Sequence, residues 1–160
     1  MKAFAQVVGK VLEALVVFIL SVMSILVFLN VVLRYGFNSS ISVTEEVSRY
    51  MFIWLTFLAA VLAFNENQHV NVTILTDKLS PNGRNILGIF TDSLMLYCCY
   101  LIVDGSWIQF QLNLSNLAPI SGLPQGITYF ASVVAGILIG ILLITRLISK
   151  LAFLTKGEKA

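Results

Sequence analysis

The sequence predicts an all-α integral membrane protein with four transmembrane helices. Charged residues make up only 11% of the 160-residue chain and hydrophobic residues 58%. A water-soluble domain carries about 25% charged residues, so this surface cannot be meant wholly for water. The apolar residues are gathered into four long runs, and the basic residues sit beside those runs rather than inside them. β-Barrel strands are excluded by the length of the runs and by their lack of alternation.

A helix needs about 20 apolar residues to cross about 30 Å of hydrocarbon. The first run, Val11 to Leu33, follows Lys2 and Lys10. Its apolar stretch is longer than the core of a signal peptide, and no small-residue cleavage site follows, so it reads as an uncleaved signal anchor. The second span is expected at Val47 to Phe64, the third at Ile86 to Ile108 and the fourth at Gly126 to Ile148. Together they make one membrane domain over 1–160. Loop two, Asn65 to Asn85, is polar and holds the lone histidine, His69. Within it Val72, Leu75 and Leu79 keep helical spacing, which suits a short interfacial helix. Loop three, Gln109 to Gln125, has two prolines and no charge.

Basic residues set the orientation. Lys2, Lys10, Lys78, Arg84, Arg146, Lys150, Lys156 and Lys159 fall on one side, eight of the ten in the chain. Only Arg34 and Arg49 fall on the other. Both termini and loop two are therefore expected in the cytoplasm, with loops one and three outside.

Polar residues near or inside the spans are the candidates for function. Ser42 and Glu45 fit a capping box at the start of helix two. Glu45 and Arg49 have i,i+4 spacing, in the favourable order for an ion pair. Arg49 lies at the edge of the hydrocarbon, where a charge must reach the interface or a carboxylate; a contact with another membrane subunit is the sharper reading. Asp92 and Asp104 are the carboxylates of helix three. Twelve residues apart, they lie about 120° apart around the helix and do not form a paired-carboxylate site. Asp104 reads as interfacial, while Asp92 is open between structural pairing and a part in transport. Asn30 reads as an interhelical hydrogen-bond partner. Trp54, Trp107, Tyr35, Tyr50 and Tyr129 fit an aromatic belt. Cys98 and Cys99 are adjacent, which disfavours a disulfide between them, and read as small apolar filler.

The chain lacks intramembrane histidines for haem, and phosphate-loop, nucleophile-elbow and zinc-protease motifs. Nothing points to an enzyme, a cofactor or nucleic acid. A small autonomous proton-coupled transporter would want a carboxylate well inside helix one, whereas Glu13 sits at its edge. An assembly subunit of another membrane complex stays open as an alternative.

The block Arg34-Tyr35, Glu45-Glu46-x-x-Arg49-Tyr50-x-Phe52-x-Trp54-x-x-Phe57-Leu58-Ala59-Ala60, His69-Val70-x-Val72 resembles the small membrane subunit of tripartite ATP-independent periplasmic (TRAP) transporters, the DctQ type. Pro119, Leu123-Pro124 and Tyr129 extend the resemblance, and Ala59 departs from it where a glycine is expected. The resemblance implies a bacterial inner-membrane subunit in a stable heterodimer with a large transport subunit. It further implies a periplasmic binding protein as transient partner, sodium-coupled import of an organic acid such as sialic acid or a C4-dicarboxylate, and a bracing role without a substrate site. Partner contacts are then expected at Arg34, Glu45, Glu46, Arg49, Tyr50, Trp54, His69 and Asp92.

Overall fold

The computed structural model describes residues 2–37, 39, 41–65 and 81–157. His69 and the expected interfacial helix lie outside the described residues. Each apolar run is a helix: α1 (Lys2–Gly36), α2 (Ser42–Asn65), α3 (Pro81–Leu112) and α4 (Gly126–Gly157). All four are long and apolar enough to cross a membrane.

The helices outrun the expected spans, because propagation adds a hydrogen bond per residue and continues into polar flanks that lack a breaker. With 35 residues, α1 is about 52 Å long, which exceeds the hydrocarbon thickness. Its end is closed where the Phe37 and Ser39 amides both donate to the Leu33 carbonyl, each at 3.1 Å. Pro81 opens α3, a position where its missing N–H costs nothing. At the end of that helix the Asn113 side chain donates to the Gln109 carbonyl at 2.9 Å.

Neighbouring helices are α1 with α2, α2 with α4, and α4 with α3. The order across the molecule is thus α1–α2–α4–α3, a row rather than a closed bundle. Within α2 and α4, 22% and 33% of the span is buried, against 6% in each of α1 and α3. The first pair sits in the middle and the second at the edges. Helices α1 and α2 are antiparallel, with Asn30 beside Glu45 at one end and Gly9 beside Asn65 at the other. Helices α3 and α4 are also antiparallel, with contacts running from Lys150 on Gly88 to Gly126 on Phe110. The two central helices run parallel, since Trp54 meets Phe130 and Phe64 meets Arg146.

One end of the row therefore carries both helix hairpin connections, 37–41 and 113–125; we call it the hairpin end. The other, the terminal end, carries the start of α1 and the end of α4. The core forms where α1, α2 and α4 meet, around Leu12, Leu58, Val61 and Ala135. Glycine sets the α3–α4 spacing: a Cβ on Gly136 would stand 2.6 Å from a Val103 methyl. A larger residue there requires either Val103 or the helix spacing to give.

Candidate functional site at the hairpin end

A set of side-chain polar contacts builds the hairpin end. Asn30 Oδ1 accepts the Ile41 amide at 3.2 Å, and its Nδ2 donates to Glu45 Oε1 at 3.2 Å. The expectation that Asn30 joins helices is met, and it also ties down the short connection between them. Arg34 approaches the same Glu45 oxygen at 3.8 Å, with both side chains more than half exposed.

Two sequence expectations are corrected here. Glu45 does not pair with Arg49, and its Oε1 reaches across to α1 instead of completing a capping box with Ser42. Arg49 pairs with Glu46, at 4.0 Å and i,i+3 spacing. The physical reason is competition: Arg34 and Asn30 arrive on α1 at the same height and offer Glu45 two donors. Glu46 meanwhile is held on the inner face of α2, within reach of Arg49.

Glu46 is the anchor of this end. Its side chain is 3% exposed, and its Oε2 accepts the Ser121 amide at 2.6 Å. An amide–carboxylate bond of this kind is charge-assisted and stronger than a neutral one. The loop it holds is a tight turn. The Ala118 amide donates to the Leu123 carbonyl at 2.8 Å, and the Gly122 amide to the Ala118 carbonyl at 3.0 Å. Leu117 and Pro124 pair across it as an isolated bridge. Gly122, at φ 68°, supplies the left-handed residue that the turn requires. Tyr50 adds a long hydroxyl contact to the Leu123 carbonyl at 3.5 Å. Loop three is thus clipped onto α2 by the acidic pair's second member.

Beneath the clip a line of aromatic rings crosses three helices. Trp54 of α2 faces Phe130 of α4 at 6.2 Å, Phe130 faces Phe110 of α3 at 5.2 Å, and Phe110 faces Trp107 at 5.5 Å. Contacts of this geometry add about 0.5–1.5 kcal/mol each beyond area burial. Trp54, near the midpoint of the Ser42–Asn65 span, therefore joins helices within the chain instead of standing in the expected aromatic belt.

Two open cavities flank the cluster. One, of about 380 Å³, lies between α1 and α2 and is lined by Asn30, Arg34, Glu45 and Ser48. The other, of about 300 Å³, lies between α2 and loop three and is lined by Glu46, Arg49, Tyr50 and Pro119. The Ser48 hydroxyl is buried without a hydrogen-bond partner. Arg49 is the most outward of the charged group, its side chain 71% exposed.

A second polar centre sits toward the terminal end. Lys150 of α4 donates to Asp92 Oδ2 of α3 at 2.5 Å, with Asp92 almost fully buried. Gly88 makes room for it, since a Cβ there would come within 2.8 Å of the Lys150 ammonium. Sequence reasoning singled out Asp92 but not its partner. Matching depth from the terminal end in both helices was the available signal. Asp92 is thereby structurally paired. Higher up, the Ser132 hydroxyl donates to the Ser106 hydroxyl at 2.6 Å, a further α3–α4 bond.

The sequence that forms these spans matches a known family. Residues 23–153 match the family described as tripartite ATP-independent periplasmic transporters, DctQ component. The chain belongs to the DctQ family. It is 68% identical over 158 residues to a Haemophilus influenzae protein that carries the provisional name TRAP transporter small permease protein; the match covers 99% of this chain and 98% of that one. It is 28% identical over 102 residues to the C4-dicarboxylate TRAP transporter small permease protein DctQ of Vibrio cholerae, covering 64% of this chain and 44% of the relative. It is also 28% identical over 116 residues to the isethionate TRAP transporter permease protein DctMQ of Oleidesulfovibrio alaskensis, covering 71% of this chain but 18% of that relative. The DctQ-family chain is a membrane-embedded transporter component and not an enzyme.

Proposed function

We propose that this chain is the small permease subunit of a binding-protein-dependent TRAP transporter, that it pairs stably with a large membrane subunit, and that it braces that subunit. The single-row arrangement carries this reading. A row of helices with two poorly buried edges spreads far more apolar surface into the membrane than a bundle of the same length. Such a shape is suited to widening a neighbour's fixed scaffold. The small share of the DctMQ relative that this chain matches supports the pairing, because it places a DctQ-like stretch within a much longer permease chain.

The polar groups support bracing in a second way. Asn30, Glu45, Glu46, Asp92 and Lys150 are engaged in contacts between helices or between a helix and its connecting loop. They stiffen the row rather than presenting an open ion or substrate site. Arg49, the most exposed of the charged group, is the part of the acidic block left to reach a partner near the membrane surface. The uncharged loop three, held rigid by Glu46, offers a fixed surface to a periplasmic binding protein.

Orientation follows the basic residues, with the terminal end in the cytoplasm of an inner membrane and the hairpin end outside. Cargo is proposed to be a small organic acid taken up with sodium. Relatives of this chain are named for different cargo, C4-dicarboxylate and isethionate, which supports placing specificity in the other subunits. The test is sodium-driven uptake into proteoliposomes with purified binding protein and the large subunit, with and without this chain. Uptake that requires both membrane subunits is expected. Full uptake by the large subunit alone would remove the bracing role.

A further inference from the structure

The outer face of α3 combines two mid-span tyrosines with a carboxylate. Toward α4 the helix presents Gly88, Asp92, Val103, Ser106 and Phe110. Away from it, at three- or four-residue spacing, run Phe90, Ser93, Tyr97, Tyr100, Asp104 and Ile108, all exposed. That spacing keeps them on one stripe of a helix. Tyr97 is 59% exposed and Tyr100 64%. They bracket the midpoint of the Ile86–Leu112 span.

Tyrosine belongs at the membrane interface, where its hydroxyl is wet. Here two hydroxyls stand near the bilayer centre. Asp104 follows one turn later on the same stripe. It lies beyond the midpoint of α3, and side chains in a helix lean toward its N-terminus, so its carboxylate tilts back toward the hydrocarbon. It is also too short to snorkel as a lysine does. Among the described residues none of these groups has a hydrogen-bond or ionic partner.

The other lipid-accessible surfaces contrast with this one. Exposed positions through the middle of α1 include Val17, Phe18, Leu20, Ile25 and Phe28, and those of α4 are Ile137, Ile141 and Ile144. Ser21 on α1 returns its hydroxyl to the Val17 carbonyl. Glu13 and Ser24 are exposed on α1 as well, but Glu13 lies closer to the end of its span than Asp104 does to the end of its own, and no tyrosine stands mid-span there. The α3 stripe asks for hydrogen-bond partners that hydrocarbon cannot supply.

We infer that this stripe is the docking face for a transmembrane helix of the large membrane subunit, one that brings a cationic or amide donor opposite Asp104 and polar atoms opposite Tyr97 and Tyr100. The inference rests on the pairing proposed above and assigns it a face. The chain would then meet its partner by the α3 edge of the row, leaving the α1 edge to lipid. The large subunit is the occupant because a DctQ-like stretch is joined to a much longer permease chain in the relative named DctMQ, whereas a parallel pairing of two copies through this stripe would set one Asp104 carboxylate against the other.

The experiment is photo-cross-linking in membranes that contain both permease subunits. Tyr97→p-benzoylphenylalanine and Tyr100→p-benzoylphenylalanine are compared with the same replacement at Phe28 and Ile141. Strong adducts to the large subunit from the two α3 positions, and not from the others, are expected. Asp104→Leu should weaken co-purification of the large subunit by roughly tenfold or more, with Asp104→Asn retaining most of it, as for loss of one member of a buried polar pair. Adducts to the large subunit only from Phe28 or Ile141 would overturn the face and leave the pairing standing. Adducts from Tyr97 or Tyr100 to a second copy of this chain would overturn the occupant. Absence of adducts from all four positions, together with no co-purification of the unsubstituted chain, would overturn the pairing itself.

Discussion

Asp92 and Lys150 meet because of how side chains leave an antiparallel helix pair. On α4 the lysine lies near the C-terminal end and leans back toward the membrane interior. On α3 the aspartate lies in the N-terminal half and leans outward, so the two converge. A charge pair in this setting contributes little net stability against an apolar pair of equal volume, but losing one member is costly. Asp92→Leu should therefore lower the stability of the chain in detergent. A cost of about 1–3 kcal/mol is expected, below the value for a fully buried pair because Lys150 keeps some exposure. The double variant Asp92→Leu with Lys150→Leu should recover most of that loss in thermal unfolding. Equal damage in the single and double variants would mean that the pair does more than neutralise itself. Glu46 illustrates what one helix cannot reveal. Its carboxylate is spent on an amide 75 residues away, at Ser121.

Among the helices, glycine decides which pairs approach closely. Gly136 faces Val103 across the α3–α4 seam, whereas Gly105 on α3 has open space where a Cβ would stand. Gly136→Ala should destabilise the α3–α4 pair by about 1–3 kcal/mol, through overpacking. Gly105→Ala should be neutral or stabilising by up to about 1 kcal/mol, through helix propensity alone. Unfolding midpoints of the two variants in the same detergent would check the contrast. Equal effects would place the close approach elsewhere. The sequence reading reached the existence and order of these helices, because unbroken apolar runs leave little else possible. It placed their ends short, since hydropathy marks where a helix is greasy and not where its hydrogen bonds stop. It paired Glu45 with Arg49 because the i,i+4 rule looks along one helix. Arg34 and Asn30, fifteen residues back in the case of Asn30, were better placed competitors that only the fold brings near.

For the whole molecule, the order α1–α2–α4–α3 was not legible in the sequence. Apolar periodicity says that a face is covered but does not name the neighbour, and four spans admit several arrangements. The common placement of both hairpin connections at one end was legible, since each span must return the chain. A phosphatase active only in the periplasm should report activity when fused after Leu117 and none when fused after Ala160, as the basic-residue asymmetry requires. The reverse pattern would invert the orientation. The parallel run of the two central helices has one more consequence. Each helix carries partial positive charge at its N-terminus. In this row the N-termini of α2 and α4 lie side by side at the centre of the hairpin end, flanked at its edges by the C-termini of α1 and α3. The positive helix ends are thus gathered in the middle and the negative ones outside. Glu45 and Glu46, in the opening turns of α2, sit at the positive middle and offset it, while Arg34 stands beside the negative end of α1.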